Sequence, residues 1–293
     1  MSVTVVVASR NRRAELLASL PRHEAPVILV DNGSTDGTVA AIRSALPAVR
    51  IVPLRRNVGA LARTVGVLAA TTPYVAFADD DSWWAPGALA RAVELLEAHP
   101  AVALVTGRIL LGPSERVDPL SLDMAAAPLG TSPGGAGPDV LGFAACAAVA
   151  RRWAFLSVGG FDPVVRFPGE EQRVAFDLAD AGWLLSYVDD LVVHRHPSPS
   201  RNSPERRRPQ TARSALLTAC IRRSWPDVVA LAAADLRADG PSRAGILAAA
   251  PSLVAALLRR RRISPRLQHR LSQLATTQSP TPSVSGSVET AAP

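Results

Sequence analysis

The stretch PVILVDNGSTDGT (residues 26–38) sets the reading of the chain. Its apolar, β-branched start over residues 26–30 reads as a buried strand. The run ends at Asp31, and a turn containing Gly33 follows. Thr35 or Asp36 then stands where a helix over residues 38–46 would be capped. Strand, polar turn and helix in that order make one unit of a parallel sheet with crossover helices. The unit recurs on both sides. Residues 3–8 (VTVVVA) read as a strand ending at Ser9-Arg10-Asn11, with a helix over 13–20. Further strands are predicted at 50–53, 74–78 and 101–106, with helices at 61–70 and 86–98. The expected fold class is α/β: a mostly parallel, Rossmann-like sheet flanked by helices.

Past residue 106 the pattern loosens. Residues 128–138 (PLGTSPGGAGP) form a Gly/Pro-rich loop, expected to be mobile. A small-residue strand is predicted at 143–150, a helix at 170–182, and short strands at 184–188 and 191–193. Ala-rich helices follow at 211–223, 227–238 and 244–262. The Ser/Thr/Pro composition of 276–293 predicts a disordered tail. The expected organisation is a catalytic domain over 1–196, a basic helical C-terminal extension over 197–275, and the tail over 276–293.

Composition narrows the class. The 293 residues are 48% hydrophobic and 19% charged, enough for a sizeable core and against wholesale disorder. Two cysteines, Cys146 and Cys220, exclude a disulfide scaffold or a cysteine-based zinc site and suit a reducing, cytoplasmic compartment. The apolar run at 3–8 is too short for a signal peptide. The longest apolar stretch, 244–258, holds 15 residues interrupted by Pro251, short of the ~20 that a membrane span needs.

All 32 basic residues are Arg. Residues 1–194 hold 16 Arg against 20 acids, whereas 195–270 hold 16 against 4, a net of +12. Two readings of that basic third follow. Its helices lie peripherally on the inner face of a membrane, or they pack on the catalytic domain and leave only Arg in solvent. Nucleic acid is not an expected partner, because aromatics are not interleaved with these Arg residues apart from Trp225.

Three polar clusters fall at predicted strand ends: Ser9-Arg10-Asn11, Asp31-Asn32-Gly33-Ser34 and Asp79-Asp80-Asp81. In an open α/β sheet, ligands bind at that rim. No GxGxxG or P-loop pattern follows any strand. Three adjacent carboxylates repel one another unless a cation or donors neutralise them. Their oxygens suit Mg²⁺ or Mn²⁺, which in turn can hold a diphosphate. Trp83 and Trp84 follow directly, and their ring faces are candidates for stacking on a sugar acceptor.

The series VVVASRNR, VDNGSTDGT, RNVGALAR, YVAFADDDSWW, VGGFD, GEEQRVAFDL and VVHRH, in that order over residues 1–196, resembles glycosyltransferase family 2 with the GT-A fold. The resemblance implies a metal-dependent, inverting transfer of a sugar from a nucleotide-diphosphate-sugar to an acceptor hydroxyl, on a glycan, a lipid-linked molecule or a small molecule. It places Ser9, Asn11, Asp31, Arg63, Asp79 and Asp80 at the nucleotide-sugar. Asp81, His194 and His196 are placed at the metal, and Trp83 and Trp84 at the acceptor. It puts the general base at Glu171, where the family has Asp, or at its neighbour Glu170. Arg201 and Arg206–Arg208 are candidates for a loop closing over the diphosphate. Two other readings remain open: a sugar-phosphate nucleotidyltransferase, disfavoured by the absence of glycine after the first strand, and a non-catalytic sugar-nucleotide-binding protein of the same fold.

Overall fold

The computed structural model describes residues 2–197 and 204–277. Among these, nine strands form one sheet: β1 (Val3–Ser9), β2 (Val27–Asp31), β3 (Arg50–Pro53), β4 (Tyr74–Ala78), β5 (Ser82–Trp84), β6 (Val102–Leu111), β7 (Arg116–Val117), β8 (Ala148–Arg151) and β9 (Leu184–Arg195). Their order is β3-β2-β1-β4-β8-β6-β9-β5, with β7 paired to β6. Strands β1 to β4 are mutually parallel, as are β6 and β9. β8 runs antiparallel between β4 and β6, and β5 antiparallel on β9.

Helices α1 (Arg13–Ser19), α2 (Thr38–Ala45), α3 (Leu61–Ala69) and α4 (Ala88–Ala98) are the expected crossovers. Short helices α5 (Pro119–Ala125) and α6 (Arg152–Ser157) precede α7 (Glu170–Asp180). The C-terminal helices are α8 (Pro204–Arg222), α9 (Trp225–Arg237), α10 (Gly240–Leu258) and α11 (Pro265–Thr277).

Side chains alternate along β1: Val5 and Val7 enter one core with Leu29 and Leu89, while Val6 enters the other with Val30, Phe77, Phe155 and Phe161. Both faces of the sheet are therefore covered, and its strands read as unbroken apolar runs.

The structure departs from expectation where long-range pairing overrides local signal. Residues 184–193 form one continuous strand rather than two, because β6 pairs along its whole length across a bulge opposite Gly107 and Arg108. Residues 82–84, between the strand predicted at 74–78 and the helix predicted at 86–98, are the strand β5. In the segment 143–150 only the end is strand, after a turn of 3-10 helix at Ala145–Ala147. The Gly/Pro loop is tethered: buried Asp139 accepts from Ser132 and from Arg270, the latter at 2.6 Å. Pro251 lies inside α10 and does not end it. Helix α11 was not expected. Residues 278–293 of the predicted tail lie outside the described residues, as does Arg201.

The Arg residues of the C-terminal third act largely as struts. Arg222 engages Asp177 of α7 through two nitrogens, one at 2.9 Å. Arg259 stands 3.4 Å from Asp162, and Arg261 stands 3.8 Å from Asp180. Arg260 donates to the carbonyls of Cys220 and Arg223 and covers the Trp225 ring. Within the block 259–262, Arg259 and Arg261 reach acids of the sheet domain, Arg260 ties the C-terminal helices to one another, and Arg262 stands in solvent.

Candidate active site

The rim of the sheet gathers the ends of β1, β2 and β4. Ser9, the last residue of β1, donates to Asp80 Oδ2 at 2.8 Å. Asp31, the last residue of β2, is buried. Its Oδ2 accepts the Ser34 N–H at 3.1 Å, and its Oδ1 has no hydrogen-bond partner among the described residues. A buried carboxylate oxygen without a partner suits an N–H donor such as a nucleobase.

The loop after Asp31 is braced from two sides. Asn11 Oδ1 accepts the Thr35 N–H at 2.8 Å, and the Asn11 N–H donates to Ser34 Oγ at 2.9 Å. Asn11 thus shapes the turn after β2 through its contacts with that loop. Asn32 spans to the next loop: its Oδ1 accepts from Val58 at 2.8 Å and its Nδ2 donates to Gly59 O at 3.1 Å. Gly33 has φ +79°, and a Cβ there would stand 3.0 Å from the Arg56 backbone, so glycine is required for the two loops to meet.

The carboxylates at the end of β4 are held by two guanidinium groups. Arg63 on α3 donates to Asp79 Oδ1 at 2.7 Å and to Glu170 Oε1 at 3.0 Å. Burial opposes its charge, but Asp79 and Glu170 hold Arg63 above the ordinary arginine range. Arg195, at the end of β9, donates to Asp79 Oδ2 at 3.3 Å, and its Nε stands 3.5 Å from Asp81 Oδ1. Burial and the neighbouring Asp79 push Asp80 up to about 6, against the hydrogen bond from Ser9. Ser9, Asn32, Arg63, Asp79 and Asp80 share a cleft of about 250 Å³.

Adjacent residues Glu170 and Glu171 stand in opposite surroundings. Glu170 is 1% exposed and paired to Arg63. Burial and the Glu171 carboxylate push it up to about 8, with Arg63 pulling the other way. Glu171 is half-buried and lines a second cleft, about 390 Å³, whose walls include Met124, Leu141, Phe143 and Leu274. Its carboxylate makes no hydrogen bond or ion pair among the described residues.

Several expected site residues lie elsewhere. Trp84 is 2% exposed, packs in the core and donates to Phe77 O at 3.2 Å, so its ring face is closed to an acceptor. Trp83 is half-buried, covered by Arg22 at 4.1 Å and stacked on His194. His194 turns to Glu115, with Nδ1 3.1 Å from Oε1, and is not brought to the aspartate triad. His196 lines a smaller cavity with Asp81, Glu15 and Trp83. Among the described residues no three His, Cys, Asp or Glu side chains converge as a metal cage. The residue that β9 delivers to the triad is Arg195. Its neighbours share the other strand face, so the alternation that joined the two histidines also pointed Arg195 away from them. Of the predicted closing loop, Arg207 lies over the Phe167 ring and Arg208 pairs with Asp239.

The carboxylates nevertheless suit a hard divalent ion. Asp80 faces the cleft with a neighbouring carboxylate on each side, a set of hard oxygen donors. Of the two histidines, His196 shares a cavity with Asp81, whereas His194 is paired with Glu115.

Comparisons with known proteins bear on the family and the fold. The family described as glycosyl transferase family 2 matches residues 4–152. An N-acetylglucosaminyl-diphospho-decaprenol L-rhamnosyltransferase of Mycobacterium tuberculosis, found in strains CDC 1551 / Oshkosh and ATCC 25618 / H37Rv, is 28% identical over 207 residues. The match covers 59% of this chain and 67% of that protein. Among solved structures, the mannosyltransferase PcManGT from Pyrobaculum calidifontis, in complex with GDP-Man and Mn2+, superposes with a TM-score of 0.58 at 23% identity. That match covers 94% of this chain and 80% of the other. S. aureus TarS 1-349 in complex with UDP-GlcNAc gives a TM-score of 0.55 at 16% identity, over 93% and 88%. At these identities the structural matches speak to the GT-A fold.

Proposed function

The chain belongs to glycosyl transferase family 2 and is a glycosyltransferase, and on that premise we propose that it moves a sugar from a nucleotide-diphosphate donor to an acceptor hydroxyl with inversion, using Glu171 as the base. The observation that carries this reading is the split between the two glutamates at the start of α7. Only Glu171 opens into a cleft where a second substrate could sit.

In this reading the donor occupies the cleft at the rim. Asp31 Oδ1 accepts from the base, and Asp79 and Asp80 stand at the ribose and diphosphate. A divalent ion, Mg²⁺ or Mn²⁺, would be held by Asp80 with its flanking carboxylates and would offset charge on the departing diphosphate. Arg63 and Arg195 keep the carboxylates oriented. Glu170 cannot reach an acceptor proton from its buried position; it holds Arg63, which holds Asp79. Glu171 takes the proton from the acceptor hydroxyl as it attacks the anomeric carbon from the face opposite the diphosphate.

The second cleft is lined largely by apolar side chains. That lining supports an acceptor whose hydroxyl lies beside an apolar portion, as in a lipid-linked molecule, with the enzyme cytoplasmic and peripheral at the inner face of a membrane. The similarity to a decaprenol-linked transferase points the same way. Family membership sets aside the nucleotidyltransferase alternative.

Calorimetry with GDP, UDP and dTDP, with and without Mn²⁺, tests the donor half. One diphosphate is expected to bind in a metal-dependent manner, and Asp80→Asn to weaken it by roughly tenfold or more. Absence of binding by all three, or binding indifferent to both metal and Asp80→Asn, would defeat it.

A further inference from the structure

Helix α10 is apolar on every side, yet it is not a core helix. By length and composition it could cross a membrane, but only 17% of its most apolar window is buried. The buried residues Gly245, Ala249 and Ala256 fall on one face, at helical spacing. That face lies along α8. A Cβ at Gly245 would stand 2.3 Å from Pro209 O, so the two backbones meet there. Arg213 of α8 crosses over to donate to Ser252 Oγ at 2.7 Å and to Ala248 O at 3.3 Å.

The opposite face carries Leu247, Val254 and Leu258, exposed by 71%, 70% and 82%. Their spacing of seven and four keeps them on one line along a helix about 28 Å long. Cations flank both ends of that line. Arg243 is exposed in the first turn, and Arg262 and Arg266 are exposed just past the end. Neither Arg262 nor Arg266 makes an ion pair among the described residues.

From this we propose that the outer face of α10 is a seat for an anionic lipid surface, with the helix lying along that surface. A contiguous apolar line on a soluble protein marks an interaction site. Cations at both ends select an anionic partner over a neutral one. Lying flat is required rather than spanning, because the inner face of α10 is fixed to α8. That helix begins PERRRPQTAR and could not follow α10 into hydrocarbon. The proposal deepens the reading of a peripheral enzyme with a lipid-linked acceptor and rests on it for its purpose, not for its geometry.

The test is co-sedimentation of the full chain with phosphatidylcholine vesicles, with and without phosphatidylglycerol. Binding is expected only with phosphatidylglycerol, and is released by high salt without detergent. Leu247→Gln/Leu258→Gln, at exposed positions, should weaken binding by roughly tenfold or more, and Arg243→Gln/Arg262→Gln should do the same. Circular dichroism and nucleotide binding should be unchanged in both. No binding to anionic vesicles, equal binding to neutral ones, release only by detergent, or an unaffected leucine variant would each overturn the seat. If the leucine variant instead lowers the mass seen by sedimentation equilibrium while vesicles are ignored, the face belongs to a second copy of the chain and the proposal fails. Loss of nucleotide binding by the wild-type protein with vesicle binding intact would defeat the transfer reading and leave the seat standing.

Discussion

The rim cleft that holds Asp79 and Asp80 and the cleft that holds Glu171 are built on opposite principles. The donor-side cleft is made at consecutive strand ends. Its side chains are polar, tied to one another, and come from segments whose local patterns announce them: Ser9, Asn32, Asp79 and Asp80. The Glu171 cleft is made from α5, the loop at 140–143, the start of α7 and Leu274 of α11. Its walls are mostly apolar, and sequence-distant segments converge to form it. The difference teaches that charge is pre-arranged where the nucleotide and diphosphate would sit, while shape and burial dominate where the base would meet the acceptor. One helical step, from Glu170 to Glu171, moves a carboxylate from the first environment to the second.

The largest effect should come from exchanging that pair. Glu171→Gln is expected to keep donor affinity and lower turnover by roughly 10²–10⁴-fold, the scale of losing a general base. Glu170→Gln should cost far less turnover and act on donor affinity through Arg63 and Asp79. Single-turnover assays beside donor titrations would show this, and the opposite ranking would exchange the roles of the two clefts.

A smaller effect should separate the clefts by stability. Arg270 reaches from α11 to Asp139, whose side chain is 1% exposed. Arg270→Met leaves that carboxylate buried without its cation. The expected loss is about 2–3 kcal/mol, below that of a fully enclosed pair because Arg270 keeps some exposure. Urea unfolding should register the loss while nucleotide affinity stays unchanged. Equal damage to nucleotide binding would mean that the two clefts are not independently supported.

A further effect is a slope. Glu170 is pushed up to about 8 in the folded protein, above the usual carboxylate range. The stability it contributes when protonated is fully present below the unfolded value and is lost as pH rises through about 8. Unfolding free energy measured from pH 5 to 9 should therefore fall less steeply in Glu170→Gln than in wild type. Parallel slopes would place the charge elsewhere.

Most of the α/β core was legible because local pattern and global fold agree. Strands β1 to β4 appear as apolar β-branched runs, each closed by a polar cluster, and β3 and β4 have the bounds that the pattern gave. The rim residues followed from the rule that an open α/β sheet presents ligands to the carboxyl ends of its strands. The paired tryptophans and histidines were harder. Residues 82–84 are too short a run to announce a strand; they pair with β9 as β5, and that pairing sends Trp84 inward and Arg195 to the aspartates.

The sequence by itself determined a covered parallel sheet, the family, and the polar groups gathered at one rim, since these rest on periodicity and on motifs written within single units. Only the tertiary structure decided which glutamate is enclosed, which residue of β9 meets the triad, and that the C-terminal arginines are mostly struts while α10 keeps an open apolar face. Burial, ion pairing and strand facing depend on partners tens to more than a hundred residues away, as Arg63 and Glu170 are, and no local pattern encodes which partner arrives.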